Sequence, residues 1–414
     1  MPASPSTARA INDRLALRLL QQEGPLTAGQ LKQLTGLSRP TVADLVERLT
    51  ASDLITVVGE SGEQRRGPNA RLYGIVADRA HLAALDVRTE SVSVLVSDLL
   101  GRVLAEASVP IGGDTGTGPA LDRATALVER VAEEAGAMGV PPRESDRVWG
   151  RLHTVGIGAP GLIDPATGEL RDSAGLPAWH RRLVAALQER FPQARVSVEN
   201  ETNLAAMAEQ QEGAARDRDT FVLLWLGHSP GAAVVLDGSL RRGASGGTGE
   251  IGFLPVPGTH ALPSATDCEG GYHSLVGAAA VAELAGEHGL AGAAADPGAA
   301  AVAVREAARV LGEGGTEDDA ARSARFLDAL ADRIAIGVAS VVAILDPGCV
   351  VLGGELGQAG GEALAARVAE RIHRMSPLAT EVRASGLGGT AVLRGALLTA
   401  RERAQDELFA PRER

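Results

Sequence analysis

Arginine and hydroxyl side chains near the amino terminus have the types and the spacing that DNA recognition uses. Arg65 and Arg66 are adjacent in the Gly/Pro/Arg-rich run 59–69, and two neighbouring guanidinium groups on a loop suit phosphates or a narrow minor groove. Arg39 and Thr41 lie upstream, in a segment whose apolar residues fall on the opposite helical face. In a helix that enters the major groove, both side chains face the base edges. These residues predict an interface with double-stranded DNA.

The same outward face carries acidic side chains, which narrows the set of firm contacts. Asp44 and Glu47 can accept from a cytosine amino group, but they also repel phosphates. Arg39 and Thr41 are therefore the firmest candidates, and the alternative is a three-helix interaction module with a solvated charged face. The residues that we assign to the DNA interface are Ser38, Arg39, Thr41, Arg48, Arg65 and Arg66.

Three helical segments precede the arginine loop with the spacing of a helix-turn-helix. The first contains Ile11, Leu15 and Leu19, whose i, i+4, i+8 spacing predicts one buried face. The second begins with Thr27 and Gln30, a capping-box pair. The apolar positions expected to be buried in the second and third helices are Leu31, Leu34, Val42, Leu45, Val46 and Leu49.

A β-hairpin is predicted directly after the third helix. Segment 54–58 alternates as a strand, and segment 71–76 can return as its partner around the loop that carries the two adjacent arginines. A hairpin in this position is a wing. Residues 1–78 are therefore predicted to form a winged helix-turn-helix DNA-binding domain.

Charge is unevenly distributed along the 414 residues. The net charge of -12 alone argues against a nucleic-acid partner. However, residues 1–75 hold nine basic and seven acidic side chains, and the remaining 31 basic and 45 acidic side chains leave -14 on the rest. No stretch suits a membrane helix, residues 1–10 lack a signal-peptide run, and Cys268 and Cys349 cannot form a disulfide scaffold. We expect a soluble cytoplasmic protein with no membrane partner.

Behind the wing, a strand pattern appears and then repeats. Strands are predicted at 82–87, 91–98 and 102–109, followed by a helix near 120–135 and a strand near 152–157. The strand-hairpin pattern returns at 220–226, 231–236 and 239–242. This repetition predicts an internally duplicated α/β body, in which two similar lobes enclose a cleft.

Four motifs follow one another through this body. They are Gly-Ile-Gly-Ala-Pro-Gly at 156–161, Glu-Asn-Glu-Thr-Asn at 199–203, Gly-Glu-Ile-Gly at 249–252, and Leu-Asp-Pro-Gly at 345–348 leading to Gly353-Gly354. Together with the preceding wing, they resemble the ROK family of repressors, open reading frames and sugar kinases, over nearly the whole chain. Family members with an N-terminal winged helix are sugar-responsive transcription regulators, such as xylose and N-acetylglucosamine repressors.

The resemblance implies a fold class and a set of domain boundaries. The fold class is α/β, with an N-terminal winged helix-turn-helix followed by a two-lobed actin-like (ASKHA, ROK-type) body. The first lobe is expected at 79–200, completed by a C-terminal helix at about 391–409. The second lobe is expected at 201–390.

Both phosphate-binding hairpins of the family's kinases are altered here. In place of Asp-x-Gly-Gly-Thr stands the run Asp86-Val87-Arg88-Thr89-Glu90, in which β-carbons crowd the phosphate and a carboxylate repels it. In place of Gly-Thr-Gly-x-Gly stands Gly-His-Ser-Pro-Gly at 227–231, where Pro230 removes a backbone donor. The family's catalytic aspartate is Glu201, and a displacement of about 1 Å can cost on the order of a hundredfold in rate. We therefore expect no enzymatic activity and no cofactor.

The family's sugar-binding positions keep a polar set. The resemblance implies that Asn200, Glu201 and Glu250 bind neighbouring hydroxyls. At the position where the family has a His, this chain has Phe253, which offers only a ring face. At the position of a further Glu of the family, the chain has a residue at or near His273. The expected ligand-binding residues are Gly161, Asn200, Glu201, Glu250, Phe253 and His273. The alternative is that Glu250 caps or bridges backbone in an empty cleft.

No metal site is expected from the cysteines. The zinc sites of the family need a Cys-x-Cys-Gly-x-x-Gly-Cys segment and the His that is replaced here by Phe253. This chain has Cys-Glu-Gly-Gly-Tyr-His at 268–273, which supplies one thiolate. His260, Cys268 and His273 can be grouped as an unrelated cluster, but isolated His and Cys on a loop are usually structural or solvated.

The resulting hypothesis is a cytoplasmic transcription regulator, a repressor, whose acidic body senses a small-molecule effector, a sugar or a sugar derivative. It binds a double-stranded DNA operator as a homodimer or homotetramer. Two alternatives stay open: a sugar kinase with an appended DNA-binding domain, and a regulator whose body only dimerises, without ligand.

Overall fold

The computed structural model describes residues 5–61, 70–138, 151–171, 176–259, 261–265, 269–290 and 297–410. A small winged-helix unit at the amino terminus is followed by two lobes, each built on a five-stranded sheet. The wing tip with Arg65 and Arg66 lies outside the described residues, as do His260 and Cys268.

The amino-terminal unit has the three helices and the hairpin that the sequence predicts. Its helices are α1 (Pro5–Gln22), α2 (Ala28–Thr35) and α3 (Arg39–Ala51), and its strands are β1 (Leu26–Thr27), β2 (Ile55–Ser61) and β3 (Ala70–Ile75). The strands pair antiparallel in the order β1-β3-β2. The capping box at the start of α2 is confirmed: the Thr27 hydroxyl accepts from the backbone N–H of Gln30, whose side-chain oxygen accepts from the backbone N–H of Thr27.

The core of this unit confirms the prediction for the third helix and corrects that for the first. The confirmed buried positions are Leu31, Val42, Leu45, Val46 and Leu49. Ile11 and Leu15 are 57% and 39% exposed, whereas Leu19 is half-buried and packs against the core. The fully buried residues of α1 are instead Ala16, Leu17 and Leu20. Apolar residues occupy two sides of α1, and only one of them meets α2, α3 and β3. The prediction for Leu34 is also wrong, because this side chain is 49% exposed.

Both lobes have the same strand topology, which confirms the predicted duplication. The first lobe contains β4 (His81–Val87), β5 (Ser91–Asp98), β6 (Val103–Pro110), β7 (Leu152–Ala159) and β8 (Arg195–Asn200). The second contains β9 (Phe221–Trp225), β10 (Gly231–Leu236), β11 (Ser239–Arg241), β12 (Cys349–Gly353) and β13 (Glu381–Ala384). The sheet orders are β6-β5-β4-β7-β8 and β11-β10-β9-β12-β13. In each sheet the first three strands form an antiparallel meander, and the last two strands join parallel to the first.

Helices cover these sheets and bury their central strands. The first-lobe helices are α4 (Thr117–Glu134) and α5 (Ala178–Arg190), followed by α6 (Glu201–Glu212) at the passage between the lobes. The second lobe contributes α7 (His273–Val276), α8 (Ala278–Glu287), α9 (Pro297–Glu313), α10 (Glu317–Leu345) and α11 (Gly354–Met375), and the last helix is α12 (Ala391–Leu408). Strands β4, β9 and β12 are buried along their whole length, as expected for central strands with parallel neighbours and helices on both faces.

Helix α12 connects the cleft between the lobes with the amino-terminal unit. It packs against β4, β7 and α6, and at Gly395 its backbone approaches Leu204 of α6 so closely that a Cβ would lie 2.0 Å from the Leu204 carbonyl oxygen. Near its other end, Asp406 forms an ion pair with Arg14 of α1. A continuous path of packed helices therefore runs from the cleft to the winged helix.

Candidate functional site

The amino terminus of α3 presents the residues expected to contact DNA. Arg39 is exposed and has no hydrogen-bond or ion-pair partner among the described residues. Ser38 is the N-cap of α3: its hydroxyl accepts from the backbone N–H of Thr41 at 3.3 Å and lies 2.8 Å from the Thr41 hydroxyl. The three residues lie together at one end of the helix, with both hydroxyls paired and the Arg39 guanidinium free to bind.

Arg48, also expected to contact DNA, forms ion pairs with two carboxylates of the amino-terminal unit. Its Nη2 lies 2.6 Å from an Asp13 carboxylate oxygen of α1, and Nη1 pairs with Asp44 one turn earlier on α3. Sequence spacing placed Arg48 on the outward face correctly, but it could not show that α1 brings a carboxylate to that face. The Arg48 guanidinium thus forms an ion pair between α3 and α1, and its contact with DNA stays a prediction.

An exposed arginine on the wing was missed by the sequence analysis. Arg71 lies near the start of β3, opposite Glu60 of β2, and its side chain has no partner among the described residues. A basic side chain on the return strand of a wing is suited to contact DNA phosphates. The signal was present, since Arg71 alternates with the apolar residues of that strand.

In the cleft, a guanidinium group joins the two lobes. Arg88 follows β4; its Nε donates to Asp86 Oδ1 at 2.7 Å and its Nη2 to Asp86 Oδ2 at 3.0 Å. Its Nη1 donates to Glu355 Oε1 of the second lobe at 2.7 Å, and the guanidinium carbon lies 5.2 Å from the centre of the Trp225 ring. The Asp86 side chain is only 8% exposed, and burial raises its pKa against the opposing effect of Arg88. Arg88 therefore stabilises a buried carboxylate and bridges the cleft.

Side chains of the second lobe pack against the turn at 227–231, between β9 and β10. A Cβ on Gly227 would lie 2.5 Å from Glu355 Oε2 and 2.8 Å from Trp225 Nε1, so these groups press directly against the backbone of the 227–231 turn. The space between the two hairpin turns is thus occupied by the Arg88 guanidinium, the Trp225 indole and the Glu355 carboxylate.

Asn200 and Glu201 lie at the start of α6, where β8 ends. The Asn200 side-chain oxygen accepts from the backbone N–H groups of Thr202 and Asn203, and its amide donates to the Gly161 carbonyl at 3.0 Å. Asn200 and Gly161 are therefore brought together, with the carboxamide already engaged as a helix cap. In contrast, Glu201 Oε2 is buried and forms no hydrogen bond with any residue of the described part of the chain.

The electrostatic surroundings of Glu201 favour its protonated form. Burial raises the pKa of Glu201 to about 8; nearby Arg88 opposes this change, and Asp86, Glu355 and Glu250 add to it. At neutral pH this carboxyl therefore retains a proton in the unliganded protein. A buried polar atom without a partner in a cleft indicates a place where a ligand completes the hydrogen bonding.

Glu250, Phe253 and His273 form the other side of this polar region. The Phe253 ring meets the His273 ring edge-on, with centroids 5.0 Å apart, and a Cβ on Gly252 would lie 2.4 Å from His273 Nε2. His273 is 9% exposed, and its Nε2 has no hydrogen-bond partner within the described ranges. Burial together with His228 lowers the pKa of His273. The Glu250 carboxylate is exposed and makes no hydrogen bond to a described residue, so its predicted alternative role as a cap is not seen there.

Two regions of the chain match known protein families. Residues 142–403 match the ROK family, and residues 11–67 match the MarR family. The chain belongs to the ROK family. Its amino-terminal unit is of the MarR-like winged helix-turn-helix type, and its body has the actin-like fold of ROK sugar kinases.

Curated relatives of this ROK protein include transcription regulators. The chain is 26% identical over 250 residues to the DNA-binding transcriptional dual regulator NagC of Escherichia coli strain K12, which covers 60% of this chain and 58% of that protein. It is 23% identical over 257 residues to the xylose repressor of Bacillus subtilis strain 168, covering 61% of this chain and 62% of the repressor. The matched stretches thus span less than two thirds of either relative.

Solved structures show the same fold. A ROK family transcriptional regulator described as a homologue of the E. coli MLC protein superposes with a TM-score of 0.73 over 97% of this chain and 98% of its own, at 18% identity. A ROK hexokinase from Thermus thermophilus gives a TM-score of 0.59 at 28% identity, over 79% of this chain and 99% of the enzyme. The fold is therefore shared with both regulators and kinases, and residues of the cleft must separate the two.

Two cleft residues of this ROK protein were not identified from the sequence. Glu355 follows the Gly353-Gly354 pair directly, and Trp225 ends β9. The glycine pair was used only as a family signature, and a tryptophan at the end of a buried strand is usually a core residue. Their contact with Arg88 could not be predicted, because Arg88 is more than 130 residues away from each of them in the chain.

The described part of the chain contains no group of three or more His, Cys, Asp or Glu residues that could hold a metal ion. The grouping of His260, Cys268 and His273 considered from the sequence lies partly outside that part, since only His273 is described. Within the same described ranges, no helix has the length and apolar character needed to cross a membrane.

Proposed function

We propose that this ROK protein is a DNA-binding transcription regulator, a repressor, controlled by a small-molecule effector of the sugar class, and that it has no kinase activity. The observation that carries this proposal is the division of the cleft into two unlike halves. Arg88 fills the half between the phosphate hairpins, whereas Glu201, Glu250 and His273 leave polar atoms unpaired in the other half. The amino-terminal winged helix supplies the DNA-binding part.

The filled half disfavours a nucleotide. A triphosphate needs backbone N–H groups and a metal ion at the first hairpin, and here Arg88 crosses that position and pairs with both lobes. Displacing it would leave Asp86 and Glu355 close together without a cation, in a region where the Asp86 side chain is 8% exposed. Expelling a buried ion-pair partner costs on the order of 3–5 kcal/mol, which opposes nucleotide binding.

The half of the cleft that contains Glu201, Glu250 and His273 suits a polyhydroxylated ligand. Glu201 Oε2 and His273 Nε2 are buried and have no partner among the residues that the structure describes. A sugar hydroxyl can donate to one acceptor while accepting from a neighbouring donor. The Phe253 ring beside His273 offers an apolar face for the sugar's C–H groups. Names of relatives support the class of effector, since they include an N-acetylglucosamine repressor and xylose repressors.

The packed helices offer a physical route from effector to DNA. Glu201 is the first residue of α6, and the backbone of α6 at Leu204 packs against the backbone of α12 at Gly395. Helix α12 in turn forms an ion pair with α1 through Asp406 and Arg14. Effector binding that moves α6 therefore shifts the winged helix relative to the body. Because binding free energies are reciprocal, an effector that weakens operator binding must itself bind more weakly to the operator complex, by the same factor.

The regulator is proposed to act in the cytoplasm as a homodimer or homotetramer. Two winged helices of one oligomer would contact half-sites separated by one or more helical turns, at roughly 10.5 base pairs per turn. Effector binding would then change the population of oligomers whose winged-helix spacing matches the operator.

A thermal-shift screen of the full-length protein against monosaccharides, their phosphates, amino sugars and ATP tests this function. A compound that binds the folded state raises the melting temperature, so we expect a sugar-specific shift and no ATP shift. Glu250→Ala should remove the sugar shift and leave DNA binding intact. Glu287→Ala, which removes an exposed carboxylate at the end of α8, is the matched control and should change neither.

The other outcomes separate the alternatives. A clear ATP shift together with phosphate transfer to a sugar would establish the kinase with an appended DNA-binding domain. DNA binding without a shift from any compound would establish a regulator whose body only dimerises.

A further inference from the structure

Negative groups dominate the cleft of this protein. Asp86, Glu201, Glu250 and Glu355 lie close enough together to act on one another electrostatically, and Arg88 is the cation among them. Three histidines also lie at this place: His180 beside the Arg88 backbone, His228 of the second hairpin and His273 of α7. Burial lowers the pKa of His180 to about 4, and burial together with His228 lowers the pKa of His273, which favours the neutral form of both rings. With Glu201 protonated and Asp86, Glu250 and Glu355 ionised, these carboxyls and Arg88 sum to two negative charges.

The cation of the cleft is already engaged. All three nitrogen atoms of the Arg88 guanidinium donate to carboxylate oxygens, two to Asp86 and one to Glu355. Arg242, beyond β11, is likewise paired, at 2.8 Å from Nε to Glu199. Among the described residues of the cleft, a phosphate group would therefore meet ionised carboxylates and no unpaired guanidinium.

The carboxyl groups of Glu201 and Glu250, in contrast, are not paired with Arg88. Glu201 Oε2 is buried without a hydrogen-bond partner, and the Glu250 carboxylate makes no hydrogen bond to a described residue. A ligand that brings its own positive charge would supply what Glu201 lacks, because an ionised carboxylate binds an ammonium group more strongly than a hydroxyl.

Resting on the function proposed above, we propose that the cleft selects a sugar with a free ammonium group, an amino sugar, held by Glu201, and that it rejects sugar phosphates. The ammonium group lies against the Glu201 carboxylate, and the remaining hydroxyls bind Glu250 and His273. Arg88 keeps Asp86 and Glu355 occupied, so the ammonium group is directed to Glu201. The chemical class of the effector is thus set by charge, beyond the hydroxyl pattern that all sugars share.

This assignment predicts that protons are exchanged on binding. The pKa of Glu201 is raised to about 8 by burial, so the carboxyl is protonated in the free protein at neutral pH. An adjacent ammonium group favours the ionised carboxylate and lowers that pKa, so binding of a charged amine releases a proton from the protein. A neutral sugar leaves Glu201 protonated and releases none.

The test is isothermal titration of the full-length protein with glucosamine, glucose, N-acetylglucosamine and glucose 6-phosphate, at about pH 6 where the amine is charged. We expect glucosamine to bind about tenfold or more tightly than glucose, and glucose 6-phosphate to bind most weakly. Repeating the glucosamine titration in two buffers of different ionisation enthalpy should show release of a proton. Glu201→Gln keeps the shape but not the charge, and should remove both the glucosamine preference and the proton release.

A matched variant separates this effect from a general change in charge. Glu212→Gln removes a carboxylate at the far end of the same helix, where it pairs with Arg394 on the surface, and should leave the preference and the proton release unchanged. Equal affinity for glucosamine and glucose, or tightest binding of glucose 6-phosphate, would overturn the charge assignment while leaving a sugar sensor in place. Absence of binding by any of the four sugars would overturn the charge assignment and the sugar effector together.

Discussion

Replacing Arg88 by Met tests whether one guanidinium holds the cleft of this ROK protein together. The substitution keeps much of the apolar stem and removes the charge that pairs with Asp86 and Glu355. Asp86, with its side chain 8% exposed, would then be a buried carboxylate without a cation, beside Glu201 and Glu355. Removing one partner of a buried ion pair destabilises a protein by about 3–5 kcal/mol, and we expect a loss of free energy of unfolding in this range.

The pH dependence of that loss follows from the raised pKa of Asp86. A carboxyl whose pKa is higher in the folded state than in the unfolded state favours folding when protonated, and this contribution is lost as the pH rises through the folded-state value. Without Arg88, the folded-state pKa of Asp86 rises further. The deficit of Arg88→Met relative to the wild type should therefore be smaller at about pH 5 than at about pH 8.

Urea unfolding at both pH values, followed by circular dichroism, measures this prediction. The matched control is Arg309→Met on α9, where an exposed arginine pairs with Glu306 and Glu313 within one helix. Surface pairs of this kind contribute about 0–1 kcal/mol, so the control should lose little stability at either pH. If Arg88→Met loses no more than Arg309→Met, or if its deficit grows towards acid pH, the cross-lobe role derived for Arg88 is wrong.

Three further predictions concern the DNA interface, the transmission path and the core. Replacing Arg65 and Arg66 by Ala should lower affinity for all DNA sequences and flatten the dependence of log K on log salt by about one to two units; an unchanged slope in fluorescence anisotropy would remove the wing from the interface. Asp406→Ala breaks the ion pair between α12 and α1, so effector and DNA should still bind but the effect of one on the other should shrink; full coupling in paired titrations would exclude this path. Glu209→Ala removes a fully buried carboxylate that accepts hydrogen bonds from three backbone N–H groups and a hydroxyl. Because buried donors are left unpaired, the free energy of unfolding measured in urea should fall by about 3 kcal/mol or more. A loss below about 1 kcal/mol would contradict this prediction.

Local sequence patterns predicted most of the elements because each depends on nearby residues. The capping box of α2 and the buried stripe of α3 are encoded within a few positions, and the strand meanders alternate over short segments. The first helix is the exception, since Ala16 and Leu17 are buried in place of Ile11 and Leu15. Two apolar sides of one helix are equivalent in sequence, and only the neighbours in the fold decide between them.

The candidate site was predictable in part for the same reason. Motif order identified Asn200, Glu201 and Glu250, and a substitution at a glycine position marked Arg88 as incompatible with phosphate. Its cross-lobe partner Glu355 could not be predicted, because the contact joins residues 267 positions apart.

The pairing state of side chains could not be read from the sequence either. Asn200 is committed to capping α6 and Arg48 to Asp13, whereas Glu201 remains without a partner. Residue type gives the chemistry that a group can perform, and the fold decides which groups are still free to perform it.

Selection of double-stranded DNA from a random pool by the full-length protein, in the presence and absence of saturating sugars, shows whether this protein is a sugar-responsive DNA-binding regulator. We predict that a specific sequence with repeated half-sites is enriched, that Arg39→Ala abolishes the enrichment, and that one sugar changes the affinity for the enriched DNA while ATP does not. The account is contradicted if no sequence is enriched, or if every enriched sequence binds equally with and without each sugar.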